Sequence, residues 1–159
     1  MEKMKITFII TGKTGEQYLN EGIGIYEKRL KHYIAYDQLI LNLPTNLKNI
    51  SPAEIRSNEA KLILRQIHPD DQVILLDEKG PLYSSVEFAL HLQKLMNSGV
   101  RNCVFAAGGP FGFDQAIYDR ANGTLSLSRM TFTHQMVRLI FTEQLYRAMT
   151  ILRNEPYHH

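Results

Sequence analysis

The sequence predicts an α/β fold in which a parallel sheet is covered by helices on both faces. Three observations carry that expectation. Short apolar, β-branched runs alternate five times with segments whose apolar residues recur at helical spacing. One run, Val73-Ile74-Leu75-Leu76, is apolar at every position, as a strand buried on both faces must be. Between the runs stand glycine, proline or capping hydroxyls at the points where each helix should start or stop.

Residues 5–11 are the first expected strand, stopped by Gly12. Leu19, Ile23, Tyr26, Leu30 and Tyr33 then mark an amphipathic helix, with Glu27 and Lys31 as an exposed pair. Residues 38–43 make the second strand, ended by Pro44. Ser51-Pro52-Ala53-Glu54 opens the second helix with a hydroxyl cap, a proline at the first helical position and a glutamate reaching back. Ile55, Leu62, Ile63 and Ile67 form its apolar side, and it stops before His68-Pro69. Residues 72–76 are the third strand. Ser84 and Glu87 form a second capping box, opening a helix that buries Phe88, Leu92 and Leu95 and ends at Asn97-Ser98-Gly99. Residues 102–107 run as a strand into Gly108-Gly109-Pro110-Phe111-Gly112; a short helix at 113–121, a strand at 123–127 and a helix at 133–152 complete the chain. On that last helix Val137, Ile140, Phe141, Leu145, Ala148 and Leu152 suit one face, while Met136, Leu139, Tyr146 and Met149 need other cover, which a second copy could supply.

A chain of 159 residues fits one domain, residues 1–159, large enough to bury roughly two-thirds of its unfolded surface. Its apolar runs fall far short of the roughly 20 residues that cross a bilayer, and the start leads straight into a strand, so a cytoplasmic protein without signal peptide is expected. The single Cys103 excludes an internal disulfide and, inside an apolar run, reads as buried filler. No Cys/His cluster has metal spacing, so no metal is expected. Net charge is only +2. The excess lies beyond residue 99, on Arg101, Arg120, Arg129, Arg138, Arg147 and Arg153, which suits phosphate or base contacts as well as ordinary surface charge.

Ligands of parallel sheets bind beyond the carboxyl ends of the strands, which selects the loops 77–82, 108–112 and 128–133. The glycine loop matches neither the dinucleotide fingerprint nor a phosphate-cradling loop. It is either a tight turn or a backbone that a ligand approaches at Gly108 and Gly109. Ser126, Ser128, Arg129, Thr131, His134, Gln135 and Arg138 cluster around the third loop with no carboxylate among them and no nucleophile elbow, which argues against glycosidase or serine-hydrolase chemistry. His134 stands near a helix start, where the macrodipole favours its neutral form; capping or core packing is its other role.

The motifs Gly108-Gly109-Pro110, Ser126-Leu127-Ser128-Arg129-Met130-Thr131-Phe132, His134-Gln135-Met136-Val137-Arg138, Glu143-Gln144-Leu145-Tyr146-Arg147-Ala148 and Pro156-Tyr157-His158, in that order, closely resemble the bacterial ribosomal RNA large subunit methyltransferase H family, small SPOUT methyltransferases. The resemblance runs the full length. It implies a C-terminal trefoil knot, S-adenosyl-L-methionine as cofactor, a homodimer packed through the knotted region, and methylation of N3 of a pseudouridine in large-subunit (23S) ribosomal RNA on the assembled ribosome. Matched motif by motif, it puts cofactor contacts on Leu76, Gly108, Leu127, Ser128, Arg129, Met130, Thr131 and Phe132. His134 and Arg138 become the catalytic candidates. Arg129, Arg138, Tyr157 and His158 become the substrate contacts, the last pair reaching a partner's pocket. Thr133 stands where many relatives carry proline, and Met1-Glu2-Lys3 is an extension expected to be exposed. A non-catalytic ribosome-binding adaptor and a SPOUT enzyme acting on transfer RNA are the competing expectations.

Overall fold

The computed structural model describes residues 3–47 and 49–159; Lys3 is exposed as expected, and Met1 and Glu2 of the extension lie outside the described residues. Five parallel strands, β1 (Lys5–Thr11), β2 (Ala35–Leu41), β3 (Gln72–Leu76), β4 (Asn102–Ala107) and β5 (Gly123–Leu125), form one sheet in the order β2-β1-β4-β3-β5. Helices α1 (Gln17–Leu30), α2 (Pro52–Arg65), α3 (Ser85–Asn97), α4 (Gln115–Arg120) and α5 (Met136–Leu152) cover it.

Side chains alternate across a strand, so each buried strand feeds two cores. Ile6, Phe8 and Ile10 of β1, Ile74 of β3, and Cys103 and Phe105 of β4 pack in a cluster with Leu30, Phe88 and Phe141 from α1, α3 and α5. Phe141 sits between Phe8 and Phe105, each ring centroid 4.8 Å away. The intervening residues Ile9, Val73, Leu75, Val104 and Ala106 pack instead with Ala60, Ile63 and Ile117 of α2 and α4. Helices on both faces of a parallel sheet are thus what the alternation builds.

Several boundaries differ from expectation for local reasons. β2 starts at Ala35, because it pairs with β1 over its whole length, Lys5 opposite Ala35 and Thr11 opposite Leu41. Its polar Asp37 interrupts the apolar run and hides the first three residues of the strand from a reading by apolar runs. The box at α3 is complete, whereas at α2 Ser51 Oγ accepts from Glu54 N (3.2 Å) and donates to the Glu54 carboxylate (3.1 Å). The buried face of α2 is Glu59, Ala60 and Ile63, with Ile55, Leu62 and Ile67 only half-buried. The short α4 starts at Gln115, capped by Asp114. β5 stops at Leu125 because Ser126 N turns to the Pro81 carbonyl (2.9 Å), which frees Ser126 and Leu127 for a wall. α5 starts at Met136, whose N–H donates to Thr133 Oγ1 (3.1 Å), so Thr133 acts as a cap.

Met136, Leu139, Tyr146 and Met149, expected to need cover beyond that of one apolar face, find part of it within the chain. Leu139 packs on Gly22 of α1, where a Cβ would stand 2.9 Å from Leu139 Cδ1. Tyr146 lies against Tyr26 and Tyr33, Met149 is buried in the first core, and Met136 is half-buried. A glycine on α1 lets the two helices approach closely enough to cover part of this face, while Met136, Leu139 and Tyr146 stay half-buried. No helix among the described residues is long and apolar enough to cross a membrane.

Candidate functional site

Parallel strands end at a common rim, and β4, β3 and β5 are neighbours, so their loops meet. They bound a cleft of about 510 Å³, walled by Leu76 at the end of β3 and Asp77, Glu78 and Lys79 after it, by Gly108, Gly109, Pro110 and Gly112 after β4, and by Thr131, Phe132, Thr133 and His134 before α5. A recess of about 60 Å³ adjoins it, lined by Leu125, Ser126, Leu127, Ser128 and Met130 and sharing Leu76, Phe132 and Val137. The larger space is the size of a small-molecule site, and its lining mixes apolar Leu76, Phe132 and Val137 with polar Asp77, Glu78, Thr131 and His134.

The walls are tied together. Asp77 N donates to Leu125 O (2.9 Å), and Gly80 lies so close to β5 that a Cβ would stand 2.9 Å from Leu125 N. Asp77 Oδ1 accepts from Lys79 N (2.9 Å), while the Tyr118 hydroxyl of α4 donates to Asp77 Oδ2 (2.5 Å). Burial, then the bond to Asp77, pushes that hydroxyl up to about 12. Thr131 Oγ1 reaches Glu78 Oε2 at 3.4 Å, linking the first loop to the third. Gly108 is closely packed, since a Cβ would stand 3.2 Å from the Gly112 carbonyl carbon.

Seven of the eight expected cofactor contacts converge here: Leu76 and Phe132 line both spaces, Gly108 and Thr131 the larger, and Leu127, Ser128 and Met130 the smaller. Arg129 is exposed and lines neither. His134 is part of the wall; burial, and then the Arg138 charge, hold its proton affinity below the usual histidine value. The neutral form is favoured as expected, although burial leads and the helix end was the expected cause.

Arg138 does not line the cleft. It is 1% exposed, and its guanidinium donates to Thr11 O (2.8 Å), Gly12 O (3.0 Å) and Thr14 Oγ1 (2.9 Å). Gln135 joins it, accepting from Gly15 N (3.0 Å) and donating to Lys13 O (3.2 Å). Together they pin the loop after β1, a fourth strand end at this rim that the sequence reading passed over although parallel pairing put it there. Tyr157 and His158 fold back on α5: the Tyr157 hydroxyl donates to Glu143 Oε1 (2.8 Å), and His158 Nδ1 lies 3.1 Å from Arg147 Nη1. From Val137 to Arg147 is roughly 15 Å along a helix, so within one chain this pair stands apart from the cleft.

The arginines beyond residue 99 are mostly engaged internally. Arg120 donates to His68 O (2.8 Å) and Asp71 O (3.0 Å), Arg147 pairs with Glu143 (2.7 Å), and Arg153 lies 4.7 Å from the Tyr33 ring centroid. Cys103 is buried, its thiol pushed up to about 12 by burial and then by Asp71. Among the described residues no group of three or more His, Cys, Asp and Glu is arranged to hold a metal ion. Asp77, Glu78 and Tyr118 at the rim were not among the expected contacts; the first two stand in a loop the alternation had selected, whereas Tyr118 reaches it from a helix 41 residues further on.

Residues 4–158 match a family model described as a predicted SPOUT methyltransferase. The chain is 53% identical over 156 residues to the ribosomal RNA large subunit methyltransferase H of Flavobacterium johnsoniae, covering 98% of this chain and 99% of that one. It is 49% identical over 156 residues to the protein of the same name from Parabacteroides distasonis, with the same coverage. Among solved structures, a probable methyltransferase from Bordetella pertussis Tohama I superposes with a TM-score of 0.58 over 92% of this chain and 95% of that one; at 11% identity this likeness concerns the fold alone.

Proposed function

Because the chain belongs to the SPOUT methyltransferases, among their ribosomal RNA large subunit methyltransferase H members, we propose that it methylates N3 of a pseudouridine in large-subunit ribosomal RNA, on the assembled ribosome in the cytoplasm. Membership carries with it the trefoil knot and S-adenosylmethionine as the methyl donor. We read residues 1–159 as one catalytic domain. The observation that carries the reading is the cleft itself, where three strand-end loops and His134 converge.

The residues present fit the donor. Leu76, Phe132 and Val137 offer an apolar slot suited to adenine, Gly108 and the loop 127–132 offer backbone at close range, and the carboxylates of Asp77 and Glu78 suit a cationic ligand. When bound, S-adenosylmethionine supplies an electrophilic methyl carbon on a sulfonium. The chain's own work is to hold the target nitrogen in line and to take its proton. His134, kept neutral, accepts that proton or orients the base. Arg138 acts through the loop 11–14, which it holds against α5, and Arg129 is placed outside for a phosphate. Tyr157 and His158, remote from the cleft of their own chain, serve the cleft of a partner in a homodimer. Exposed Tyr18 and Ile25 on α1, and Val86 and Leu90 on α3, support such a contact on the helices that flank α5.

The test is tritiated methyl incorporation from S-adenosylmethionine into ribosomes, isolated subunits, free ribosomal RNA and transfer RNA. Label in the large-subunit RNA of ribosomes, with free RNA a poor substrate, is the expected result. Label confined to transfer RNA, or no calorimetric binding of S-adenosylmethionine, overturns it.

A further inference from the structure

Behind the glycine loop lies an acid that the proposed reaction does not use. Glu59 of α2 is 8% exposed, and its Oε1 has no hydrogen-bond partner among the described residues. Thr11 Oγ1, at the end of β1 and also in a residue 8% exposed, has none either. Both press on the same backbone: a Cβ at Gly109 would stand 2.9 Å from Glu59 Oε2 and 3.2 Å from Thr11 Oγ1. The void left between them is about 10 Å³, room for one water at most. Gly108 and Gly109 border this void and also line the 510 Å³ cleft. A single thickness of glycine backbone therefore separates the buried acid from the cofactor space.

An isolated buried carboxyl is a poor choice for stability, since a leucine of similar volume would fill the space without losing hydration. Burial pushes the Glu59 carboxyl above the ordinary range; the neighbouring Thr11 hydroxyl offsets part of the rise, although the two side chains fall outside hydrogen-bond geometry. The charged groups bordering the same void are Arg56 on α2 and Asp114 ahead of α4, and neither gives Glu59 a hydrogen bond. What Glu59 does touch is the glycine wall.

We propose that Glu59 is a positioning residue: seated beside Thr11, its carboxyl sets the height of the Gly108-Gly109 wall and with it the fit of the cleft to the methyl donor. The inference rests on the S-adenosylmethionine reading. A carboxyl and a carboxamide have the same shape, so Glu59→Gln keeps the brace. Glu59→Asp withdraws it by one methylene, and Glu59→Ala removes it.

The experiment measures S-adenosylmethionine affinity by calorimetry, and melting temperature in parallel, on the full chain. Glu59→Asp and Glu59→Ala are expected to weaken affinity about tenfold, the scale of one lost polar contact, while Glu59→Gln stays within about threefold of the parent. Gly109→Ala is expected to weaken affinity as well, and its combination with Glu59→Ala to lose less than the two losses multiplied, because removing the carboxyl relieves the clash. Ile63→Val, which borders the same void, should lower the melting temperature and leave affinity alone. Parent-like affinity in Glu59→Asp, a Gln variant as weak as the Asp variant, or multiplicative losses would each overturn the inference. A parent protein that does not bind S-adenosylmethionine overturns the functional reading instead.

Discussion

Arg138→Met separates a structural role from direct contact with substrate. The guanidinium makes hydrogen bonds at 2.8, 3.0 and 2.9 Å to Thr11 O, Gly12 O and Thr14 Oγ1, and methionine fills much the same length with no donor. Each bond to a charged donor is worth about 1.5–3 kcal/mol, and the carbonyls left unpaired cost about 1–3 kcal/mol apiece. Against this, removing a buried charge whose Nε has no partner returns part of its desolvation cost. The balance is a loss of about 3–5 kcal/mol, the usual result of deleting one side of a buried charged contact. For a chain of this size each kcal/mol shifts the melting temperature by about 2–4 °C, so a fall of about 10 °C is expected by calorimetry. Arg138→Lys should recover part of it, since an ammonium can satisfy some but not all of three divergent acceptors. A variant that melts within about 2 °C of the parent yet has lost turnover would refute this reasoning and place Arg138 at the substrate.

Other outcomes follow from the same geometry. His134→Ala should lower turnover about 10²–10⁴-fold while S-adenosylmethionine affinity stays within about twofold; an unchanged rate would remove it from the mechanism. Because the folded protein holds His134 below the ordinary value of 6.5, its neutral form persists at neutral pH, and the acid limb of the rate profile should fall below pH 6.5 and vanish in the alanine variant. Thr133→Ala should cost about 1 kcal/mol in urea unfolding by removing the acceptor for Met136 N; a cost near zero would deny it the cap. If Tyr157 and His158 serve a partner's cleft, mixing inactive His134→Ala and Tyr157→Ala chains should regain activity through mixed dimers, and mixtures that stay inactive would count against a shared site.

How much of this was legible depended on whether a residue's environment is set by its own segment. β1, β3 and β4 are buried on both sides and declared themselves as apolar runs, and their alternation with helices selected three loops that meet around one cleft. β2 was shifted because its start is set by β1, on which Lys5 pairs with Ala35, while its own Asp37 looks like loop. Arg138 shows the limit more sharply. Beside a polar loop an arginine reads as a ligand contact, but which side of α5 it occupies relative to the loop after β1 is decided by the packing of Leu139 on Gly22 and of Phe141 between Phe8 and Phe105. Glu59 was hidden for a similar reason: acids on an amphipathic helix belong outside, and here the buried face of α2 includes one.

The start of α5 is where these strands of reasoning meet. His134 and Val137 face the cleft, Gln135 and Arg138 turn to the loop after β1, and Phe141 enters the core between two strands. Three destinations from eight consecutive positions are possible because a helix advances about 100° per residue, so neighbours in sequence address different surfaces. The cleft wall is thereby registered to the core: the packing of Phe141 fixes the rotation of the helix, and that rotation fixes where His134 and Val137 point. One residue inserted between Leu139 and Phe141 would turn the start of the helix by about 100° relative to its packed half. His134 would leave the wall and Arg138 would lose the carbonyls of Thr11 and Gly12 together. Cofactor binding and folding stability should therefore fall in the same variant, a coupling that a loop attached independently to the sheet would not produce.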